Sequence, residues 1–177
     1  MPASDWKDRA RNILLLLLDV DGVLTDGRIG FDGAGQEVKF FDVKDGQGIQ
    51  FLRSAGIEVG ILSSRASRPV RKRARDLGIH LVREGVKDKG GELAVIRREK
   101  NLRGDEIAYV GDDWVDLPVF RQVGLAVAVA DSIPELKKKA HYVTHAAGGR
   151  GAVREVCEVI LKAQGKWKRI TEKYFSP

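Results

Sequence analysis

The sequence predicts an α/β fold with a doubly wound parallel sheet, on three observations. Short apolar runs alternate with segments in which apolar residues recur at helical spacing, the pattern of strand–helix–strand units. The run 13–18 consists of six consecutive aliphatic residues, which is typical of a strand buried on both faces. Glycines and prolines stand where the helical segments begin and end. Together these features favour a parallel sheet with helices on both faces.

The elements follow one another in a regular order. Strands are predicted where apolar runs are short and uninterrupted, at 13–19, 57–62, 79–82, 106–110, 125–129 and 141–143. Helices are predicted where apolar residues recur every three or four positions or where proline marks a first turn. They cover 46–55, 69–77, 92–100, 118–123, 134–139 and 152–163. Gly56 and Gly78 each follow a helix, as expected at helix C-termini.

One segment breaks the alternation between the first strand and the first helix. Two β-like runs, 28–31 and 38–41, flank the turn sequence DGAG, and this pattern predicts a β-hairpin. We interpret residues 26–45 as an insertion in a single domain that spans 1–177 and ends in a tail at 166–177. The hairpin carries apolar side chains that need covering, either by their own domain or by another subunit: Ile29, Phe31, Val38, Phe40 and Phe41.

The composition excludes several classes of protein. Of the 177 residues, 43% are hydrophobic and 32% charged, which is the balance of a folded globular chain. Cys157 is the only cysteine, so intrachain disulfides and cysteine-based zinc clusters are excluded. The run 13–18 is far shorter than the roughly 20 residues that a membrane-spanning helix needs. We therefore expect a cytoplasmic protein that does not associate with membranes.

The net charge of +6 permits either a nucleic-acid-binding protein or an enzyme for anionic small molecules. Basic residues are densest on and beside the helix 69–77, opposite an apolar stripe, and this is typical of a solvated face: Arg68, Arg71, Lys72, Arg73 and Arg75. Aromatic residues make up only 7% of the chain and do not interleave with this cluster. We therefore expect an anionic small-molecule substrate and no nucleic-acid partner.

Polar side chains follow the predicted strands, at the edge where open α/β sheets bind their ligands. They comprise carboxylates, a hydroxyl and an ammonium: Asp19, Asp21, Ser63, Lys89, Asp112 and Asp113. Several carboxylates at one edge repel one another unless a cation lies among them, and oxygen ligands favour Mg²⁺. Such a cation, together with a lysine and a hydroxyl, would bind a phosphoryl group, whose transfer needs mostly positioning and charge neutralisation.

Asp19 and Asp21 suit two different tasks at this edge. Because they are two residues apart at a strand end, both side chains can face the same side. One can attack phosphorus while the other handles a proton. Gly22 allows the chain to turn sharply there, with backbone N–H groups directed at the phosphate.

The same residues carry a resemblance to a known family. The segment DVDGVLTDG at 19–27, Ser63, Lys89 and GDD at 111–113 match, in order, the four motifs of the haloacid dehalogenase superfamily. Four further segments look like the phosphatases of 3-deoxy-D-manno-octulosonate 8-phosphate within it: DVKDG at 42–46, GILSSR at 60–65, AVAD at 128–131 and GGRGAVRE at 148–155. The resemblance extends from about residue 13 to residue 165. It implies a three-layer Rossmann-like fold with a hairpin insertion, no cap domain and a homotetramer.

The resemblance also implies roles for the acidic residues. Asp19 would be the nucleophile that takes the phosphoryl group as an aspartyl-phosphate. Asp21 would be the general acid for the leaving alkoxide and then the base for the attacking water. Mg²⁺ would be held by the Asp19 carboxylate, the Asp21 backbone carbonyl and Asp112, with Asp113 supporting from outside.

The remaining matching residues would bind the substrate, a small phosphorylated sugar acid. Ser63 and Lys89 would contact phosphate oxygens. The rest of the predicted substrate site consists of Gly22, Asp42, Val43, Lys44, Asp45, Gly46, Ser64, Arg65 and Arg73. Arg65 and Arg73 could instead be surface charges. Gln50 stands where relatives often carry Arg or Lys, and Ser64 replaces a common glycine.

Three further positions leave alternatives open. Lys87 shares a polar loop with Lys89, and only the spacing to the GDD segment selects Lys89. Asp113 and Asp116 could cap the helix that follows them. The segment GGRG at 148–151 resembles a phosphate-binding loop only loosely, and the N-terminal turn of a helix explains it better.

The sequence also allows other functions. The nearest is hydrolysis of a nine-carbon sugar acid phosphate, but Arg65 favours the octulosonate because nine-carbon relatives tend to carry an acidic residue there. A signalling receiver domain has its acidic pair on the first strand and its phosphoacceptor on a later one. This chain instead has DVDG on the first strand and GDD on the fourth. A catalytically silent oligomerisation module is disfavoured because every carboxylate is present.

Overall fold

The computed structural model describes residues 5–174, and its centre is a six-stranded sheet. The strands are β1 (Leu15–Leu18), β4 (Glu58–Leu62), β5 (Leu81–Arg83), β6 (Ile107–Gly111), β7 (Leu125–Ala128) and β8 (Tyr142–Val143). Their order across the sheet is β5–β4–β1–β6–β7–β8, and every neighbouring pair is parallel. The structure confirms the predicted doubly wound α/β fold.

The central strand is β1, as its uninterrupted apolar sequence predicts. Leu16 lies opposite Val59 of β4 and Ala108 of β6, so both edges of β1 are paired. Its four leucines are fully buried and alternate between the two cores, one on each face of the sheet. A strand of this composition is stable only where helices cover both faces.

Helices form the two outer layers: α1 (Asp5–Arg11), α2 (Val43–Ser54), α3 (Arg68–Leu77), α4 (Lys89–Lys100), α5 (Leu117–Phe120), α6 (Pro134–Lys137), α7 (Ala152–Ala163) and α8 (Trp167–Thr171). Short 3₁₀ helices occupy Gly104–Glu106, Trp114–Asp116 and Glu172–Tyr174. Buried residues of α1, α2, α3 and α7 contribute to one core, and those of α4, α5 and α6 to the other. No helix within residues 5–174 has the length and apolar character needed to cross a membrane.

The helix α4 begins earlier than its apolar pattern predicts. The expected start was residue 92, whereas the helix runs from Lys89, and the Asp88 side chain accepts a hydrogen bond from the N–H of Gly91. The helix begins here because the Asp88 side chain caps its N-terminus, and the spacing of apolar residues does not show this. Lys89 therefore lies in the first turn of a helix and not in a loop.

The insertion after β1 forms the predicted hairpin. The antiparallel strands β2 (Gly30–Phe31) and β3 (Glu37–Val38) are joined by a turn in which the Asp32 carboxylate accepts hydrogen bonds from two backbone N–H groups. Phe41 packs against the core of the domain. Other apolar side chains on and beside the hairpin are exposed, with Phe40 exposed to 83% of its surface: Ile29, Phe31, Phe40 and Val43. The domain of this chain does not cover them.

The described part of the predicted tail folds back onto its own chain. The ring of Trp167 lies 6.0 Å from that of Phe51 in α2, and the ring of Tyr174 lies 5.7 Å from it. The guanidinium of Arg154 in α7 stacks over both Phe51 and Trp167. Residues 166–174 are therefore anchored on α2 and α7, and residues 175–177 of the predicted tail lie outside the described residues.

Candidate active site

The carboxyl ends of β1, β4 and β6 meet at one edge of the sheet and open into a cavity of about 170 Å³. Its walls are formed by residues from three loops: Asp19, Asp21, Ser63, Ser64, Arg65, Asp112, Asp113 and Val115. The sequence predicts every member of this set except Val115. The structure therefore brings the predicted strand-end residues together in one place.

Glycine is required in the turn after β1. Gly22 has a φ of +88°, and a Cβ atom there would lie 2.0 Å from a carboxylate oxygen of Asp112. The backbone N–H groups of the next three residues donate to the carbonyl of Val20 and close the turn. Asp19 and Asp112 are thereby held next to each other, with no side chain between them.

A second loop braces this turn from the other side. A Cβ atom at Gly148 would lie 1.7 Å from the carbonyl oxygen of Gly22, and the N–H of Gly149 donates to the carbonyl of Val23 at 2.8 Å. The N–H of Gly148 donates in turn to the carboxylate of Asp131. The segment 148–151 thus leads into α7 as its N-terminal turn, which is the second of the two interpretations that the sequence allows.

Lys89 and Asp116 form a buried ion pair beneath the cavity. The Lys89 Nζ lies 2.7 Å from Asp116 Oδ1 and 3.0 Å from Asp19 Oδ1. Asp116 also accepts hydrogen bonds from the hydroxyl of Tyr109 and from the N–H groups of Asp112 and Asp113. These contacts direct the ammonium of Lys89 at Asp19. Lys89, and not the exposed Lys87, therefore reaches the site.

Asp116 is a site residue that the sequence analysis did not assign. The capping role that the sequence allows for it is present, since its carboxylate closes the turn that leads into the 3₁₀ helix Trp114–Asp116. In addition it is fully buried and neutralises Lys89. The spacing GDDxxD places its carboxylate beneath the preceding turn, and this pattern could have indicated it. Asp113 instead caps the 3₁₀ helix through the N–H of Trp114 at 2.7 Å, and its side chain lies at the exposed cavity rim.

The clustered carboxylates are poised to hold a cation. Oxygens of Asp19, Asp112 and Asp116 lie within 4.8 Å of one another. The pKa of Asp19 is raised to about 6, chiefly by burial and to a smaller extent by the negative charge of Asp116, although the positive charge of Lys89 opposes this shift. The pKa of Asp112 is raised to about 8, chiefly by burial and to a smaller extent by the charges of the neighbouring carboxylates. Repulsion of this kind is relieved by a divalent cation, and carboxylate ligands suit Mg²⁺.

The carboxylate of Asp21 faces the hairpin insertion. Its Oδ1 accepts a short hydrogen bond from Lys39, and its Oδ2 lies 3.6 Å from the Nε of Arg65. Glu37 of β3 contacts both cations, at 3.3 Å from Lys39 and 3.2 Å from Arg65. Lys39 and Glu37 are further site residues that the sequence did not predict, because their position depends on how the hairpin folds back over β1.

The predicted substrate segment 42–46 has mainly structural contacts. Asp42 caps α2 by accepting from the N–H of Lys44 at 2.6 Å, and Val43 and Lys44 are exposed. Asp45 is buried and accepts hydrogen bonds from the N–H groups of Gly151 and Arg154, at the start of α7. Burial raises the pKa of Asp45 to about 6. The carboxylate of Asp45 thus ties α2 to α7, and its role in binding the substrate stays a prediction.

Arg73 and Gly46 lie next to each other, away from the acidic cluster. The Arg73 guanidinium donates to the carbonyl of Asp42 at 3.4 Å and lies over the ring of Phe41. A Cβ atom at Gly46 would lie 2.3 Å from Arg73 Nη2, so a larger residue there would displace the end of the Arg73 side chain. Of the two predicted sugar-acid arginines, Arg65 lies at the cavity wall, and Arg73 packs against the hairpin end.

Comparisons with known proteins agree with this geometry. A family model described as haloacid dehalogenase-like hydrolase matches residues 79–155. The 3-deoxy-D-manno-octulosonate 8-phosphate phosphatase of Escherichia coli K12 is 48% identical over 164 residues, which cover 93% of this chain and 87% of that protein. The relatives so named include one from Yersinia pestis, which is 47% identical over 96% of this chain and 90% of its own length.

Solved structures extend the similarity to the fold. The crystal structure of the 3-deoxy-D-manno-octulosonate 8-phosphate phosphatase of Moraxella catarrhalis, in complex with magnesium ion, phosphate ion and KDO, has a TM-score of 0.94 and 37% identity. The match covers 97% of this chain and 98% of that one. The shared fold, the motifs at the carboxyl edge of the sheet and relatives at this identity along nearly the whole chain lead to one conclusion. This chain belongs to the haloacid dehalogenase-like hydrolases, in the family of the 3-deoxy-D-manno-octulosonate 8-phosphate phosphatases.

Proposed function

We propose that the chain is a Mg²⁺-dependent phosphatase that hydrolyses 3-deoxy-D-manno-octulosonate 8-phosphate to the free sugar acid and inorganic phosphate. The observation that carries this proposal is the position of the Asp19 carboxylate, which lies close to both the buried Lys89 and Asp112. Asp19 and Asp21 line the same cavity. An anionic nucleophile next to an ammonium and a second carboxylate fits phosphoryl transfer, in which positioning and charge neutralisation dominate catalysis.

In the first half of the reaction, a carboxylate oxygen of Asp19 attacks phosphorus and the bond from phosphorus to the sugar oxygen breaks. Protonated Asp21 gives its proton to that oxygen, so that the sugar leaves as an alcohol and Asp19 carries the phosphoryl group. In the second half, the Asp21 carboxylate takes a proton from a water molecule as the water oxygen attacks phosphorus. Inorganic phosphate leaves, and Asp19 returns to the carboxylate form.

The residues present fit a magnesium ion. The ion would be held by Asp19, Asp112 and the backbone carbonyl of Asp21, while Asp116 is occupied by Lys89 and Tyr109. When bound, it neutralises charge on the phosphoryl oxygens and keeps Asp19 ionised. Ser63 is buried at the end of β4, and we propose that its hydroxyl and the ammonium of Lys89 contact phosphate oxygens.

The substrate is assigned from the cavity wall and the family. A sugar acid phosphate carries a phosphate at one end and a carboxylate at the other, and Arg65 is a half-exposed guanidinium at the rim. We propose that Arg65 pairs with the carboxylate of the eight-carbon sugar acid, a precursor of lipopolysaccharide. The enzyme would work in the cytoplasm, because a substrate with several negative charges does not cross a bilayer unaided.

A phosphate-release screen over sugar phosphates in the presence of Mg²⁺ tests this proposal. The eight-carbon sugar acid phosphate is expected to give the highest kcat/KM, above nine-carbon sugar acid phosphates and above neutral sugar phosphates of similar size. A higher kcat/KM for a nine-carbon acid would replace the substrate while keeping the reaction. Absence of phosphate release from every sugar phosphate would contradict the reaction itself.

Replacing Arg65 with alanine separates recognition of the sugar acid from phosphoryl transfer. We expect Arg65→Ala to lower kcat/KM for the sugar acid phosphate about 10- to 100-fold, the loss typical of a charge-assisted contact. Hydrolysis of p-nitrophenyl phosphate, which has no carboxylate, should change less than about threefold. Arg71→Ala is the control, because Arg71 pairs with Glu84 away from the cavity. Equal losses for both substrates would show that Arg65 supports the structure.

The exposed apolar side chains beside the site are the basis for a proposed homotetramer. Ile29, Phe31, Phe40 and Val43 are exposed on and beside the hairpin, and association with other subunits would cover them. The family resemblance implies a tetramer built on this hairpin. Association would also cover the site, which has no cap domain, and so exclude water from it.

Two charge substitutions in the hairpin test the proposed assembly. Phe31→Asp combined with Phe40→Asp is expected to give monomers in sedimentation and to lower kcat/KM, while the circular dichroism of the α/β core stays unchanged. Gln36→Asp is the matched control, since it adds a charge to the same hairpin without removing an apolar side chain. A fully active monomer would show that catalysis does not need the assembly.

A further inference from the structure

Lys39 presents a buried charge that the proposed reaction does not use. Its side chain has no exposed surface, although it belongs to the hairpin insertion and not to the sheet. Burying an ammonium costs several kcal/mol unless it is paired and hydrogen-bonded. Its partners are Asp21 and Glu37, so the cost is offset by one carboxylate from the loop after β1 and one from β3.

These residues and Arg65 form a closed ring of alternating charges. Lys39 and Arg65 contact different oxygens of Asp21, and both contact Oε1 of Glu37. Glu37 is fixed further by the hydroxyl of Ser67, which donates to it at 2.6 Å. Each oxygen of Asp21 therefore faces a different cation, and the ring adds no net charge to the site.

The two cations of this ring differ in their freedom to move. Arg65 is 48% exposed and can turn toward a bound substrate without disturbing the fold. The Lys39 side chain has no exposed surface and pairs with two carboxylates, so it has less freedom to leave Asp21. When Arg65 engages a substrate carboxylate, Oδ2 of Asp21 becomes free for proton transfer while Oδ1 remains held by Lys39.

We propose that Lys39 is a positioning residue for Asp21, which it holds in the orientation required for proton transfer, and that Glu37 holds Lys39 in place. The inference rests on the proposed function, in which Asp21 is the general acid and base. Lys39 itself does not touch the reacting atoms. The hairpin is thereby part of the catalytic machinery within one subunit, in addition to its proposed place at an interface.

The first test compares leaving groups in Lys39→Met, which keeps the length of the side chain and removes its charge. We expect kcat/KM for a sugar phosphate, whose alkoxide needs a proton, to fall about 10- to 100-fold, because small misplacement of a catalytic group has costs of this size. For p-nitrophenyl phosphate, whose leaving group needs no proton, we expect a change below about threefold. Equal losses with both substrates would overturn the proposal.

Two further variants guard against a merely structural effect. In an Asp21→Asn background, Lys39→Met should cause no additional loss with the sugar phosphate, because the residue that it positions is already disabled. Multiplied losses in the double variant would contradict the proposal. The control is Lys100→Met, because Lys100 ends α4 and pairs at 2.6 Å with Glu58, which begins β4, so that both lie at the opposite ends of these elements from Lys89 and Ser63. This variant should leave both rates unchanged.

A crystal structure of Lys39→Met provides a readout that does not depend on activity. The Asp21 side chain should adopt a different rotamer or more than one, with the backbone of the loop and the position of Asp19 retained. An unchanged Asp21 rotamer would refute the positioning role. A wild-type protein without phosphatase activity would instead refute the proposed function, and the rotamer comparison would still decide what Lys39 does.

Discussion

Replacing Asp19 with asparagine is expected to abolish turnover with every phosphate ester, by at least about 10⁴-fold, since a neutral amide of the same size does not attack phosphorus. The fold should persist, because Lys89 keeps its second partner, Asp116, at 2.7 Å. Phosphate release and circular dichroism measure the two expectations separately. Asp76→Asn is the matched control, because Asp76 pairs only at the surface of α3, with Lys72 at 3.1 Å.

Removal of the metal should have the same effect in the unaltered chain. EDTA is expected to stop phosphate release, and added Mg²⁺ to restore it, because the carboxylates of Asp19 and Asp112 repel each other without a cation. Full activity of the Asp19→Asn variant would disprove the covalent mechanism. Full activity in EDTA would disprove the metal requirement while leaving the nucleophile in place.

Replacing Asp21 with asparagine should lower activity selectively, for substrates whose leaving group needs a proton. Asp21→Asn removes the proton donor and keeps the nucleophile, so kcat/KM for a sugar phosphate is expected to fall about 10²- to 10⁴-fold. An activated aryl phosphate should suffer much less in the phosphorylation step, because its leaving group departs without a proton. Pre-steady-state release of p-nitrophenol isolates that step. Equal losses in that step would mean that Asp21 is not the general acid.

The two asparagine variants together distinguish the carboxylates. Both acids lie at the cavity wall, but Asp19 contacts Lys89, whereas Asp21 faces Lys39 of the hairpin insertion and Arg65 of the loop after β4. The two carboxylates thus have different charged neighbours, as expected if one is the nucleophile and the other the general acid. The geometry predicts that Asp19→Asn lowers activity whatever the leaving group is. It predicts that the loss of activity in Asp21→Asn depends on the leaving group.

The sheet could be predicted because its signal is local. Six consecutive aliphatic residues at 13–18 are typical of a strand covered on both faces, and the structure places Leu15–Leu18 of this run at the centre of the sheet. The helix α1 was missed because its seven residues lack an apolar period. Tertiary contacts hold it: Trp6 stacks on Tyr142 at 5.0 Å and Arg9 donates to the carbonyl of Gly124. Contacts between distant residues are not visible in a local pattern.

The candidate site could also be predicted only where the signal in the sequence is local. Asp19, Ser63 and Asp112 were found because the residue after a parallel strand has a known location in this type of sheet. The contact of Asp45 with α7 was not predicted because its partners, the N–H groups at the start of α7, lie more than a hundred positions away in sequence. Lys39 was overlooked for a related reason. Only the path of the hairpin brings it to Asp21, and no spacing rule describes that path.

The order of the strands has a consequence for synthesis on the ribosome. β1 is made early, but its partners are residues 58–61 and 107–110, so one edge of an all-leucine strand stays unpaired until more than half of the chain has been made. Unpaired apolar edges recruit other chains, so the nascent protein needs protection during this interval. The loop at Gly148 that braces Gly22 arrives later still. A product of premature termination would therefore leave one edge of β1 unpaired and lack the loop that braces the turn after Asp19.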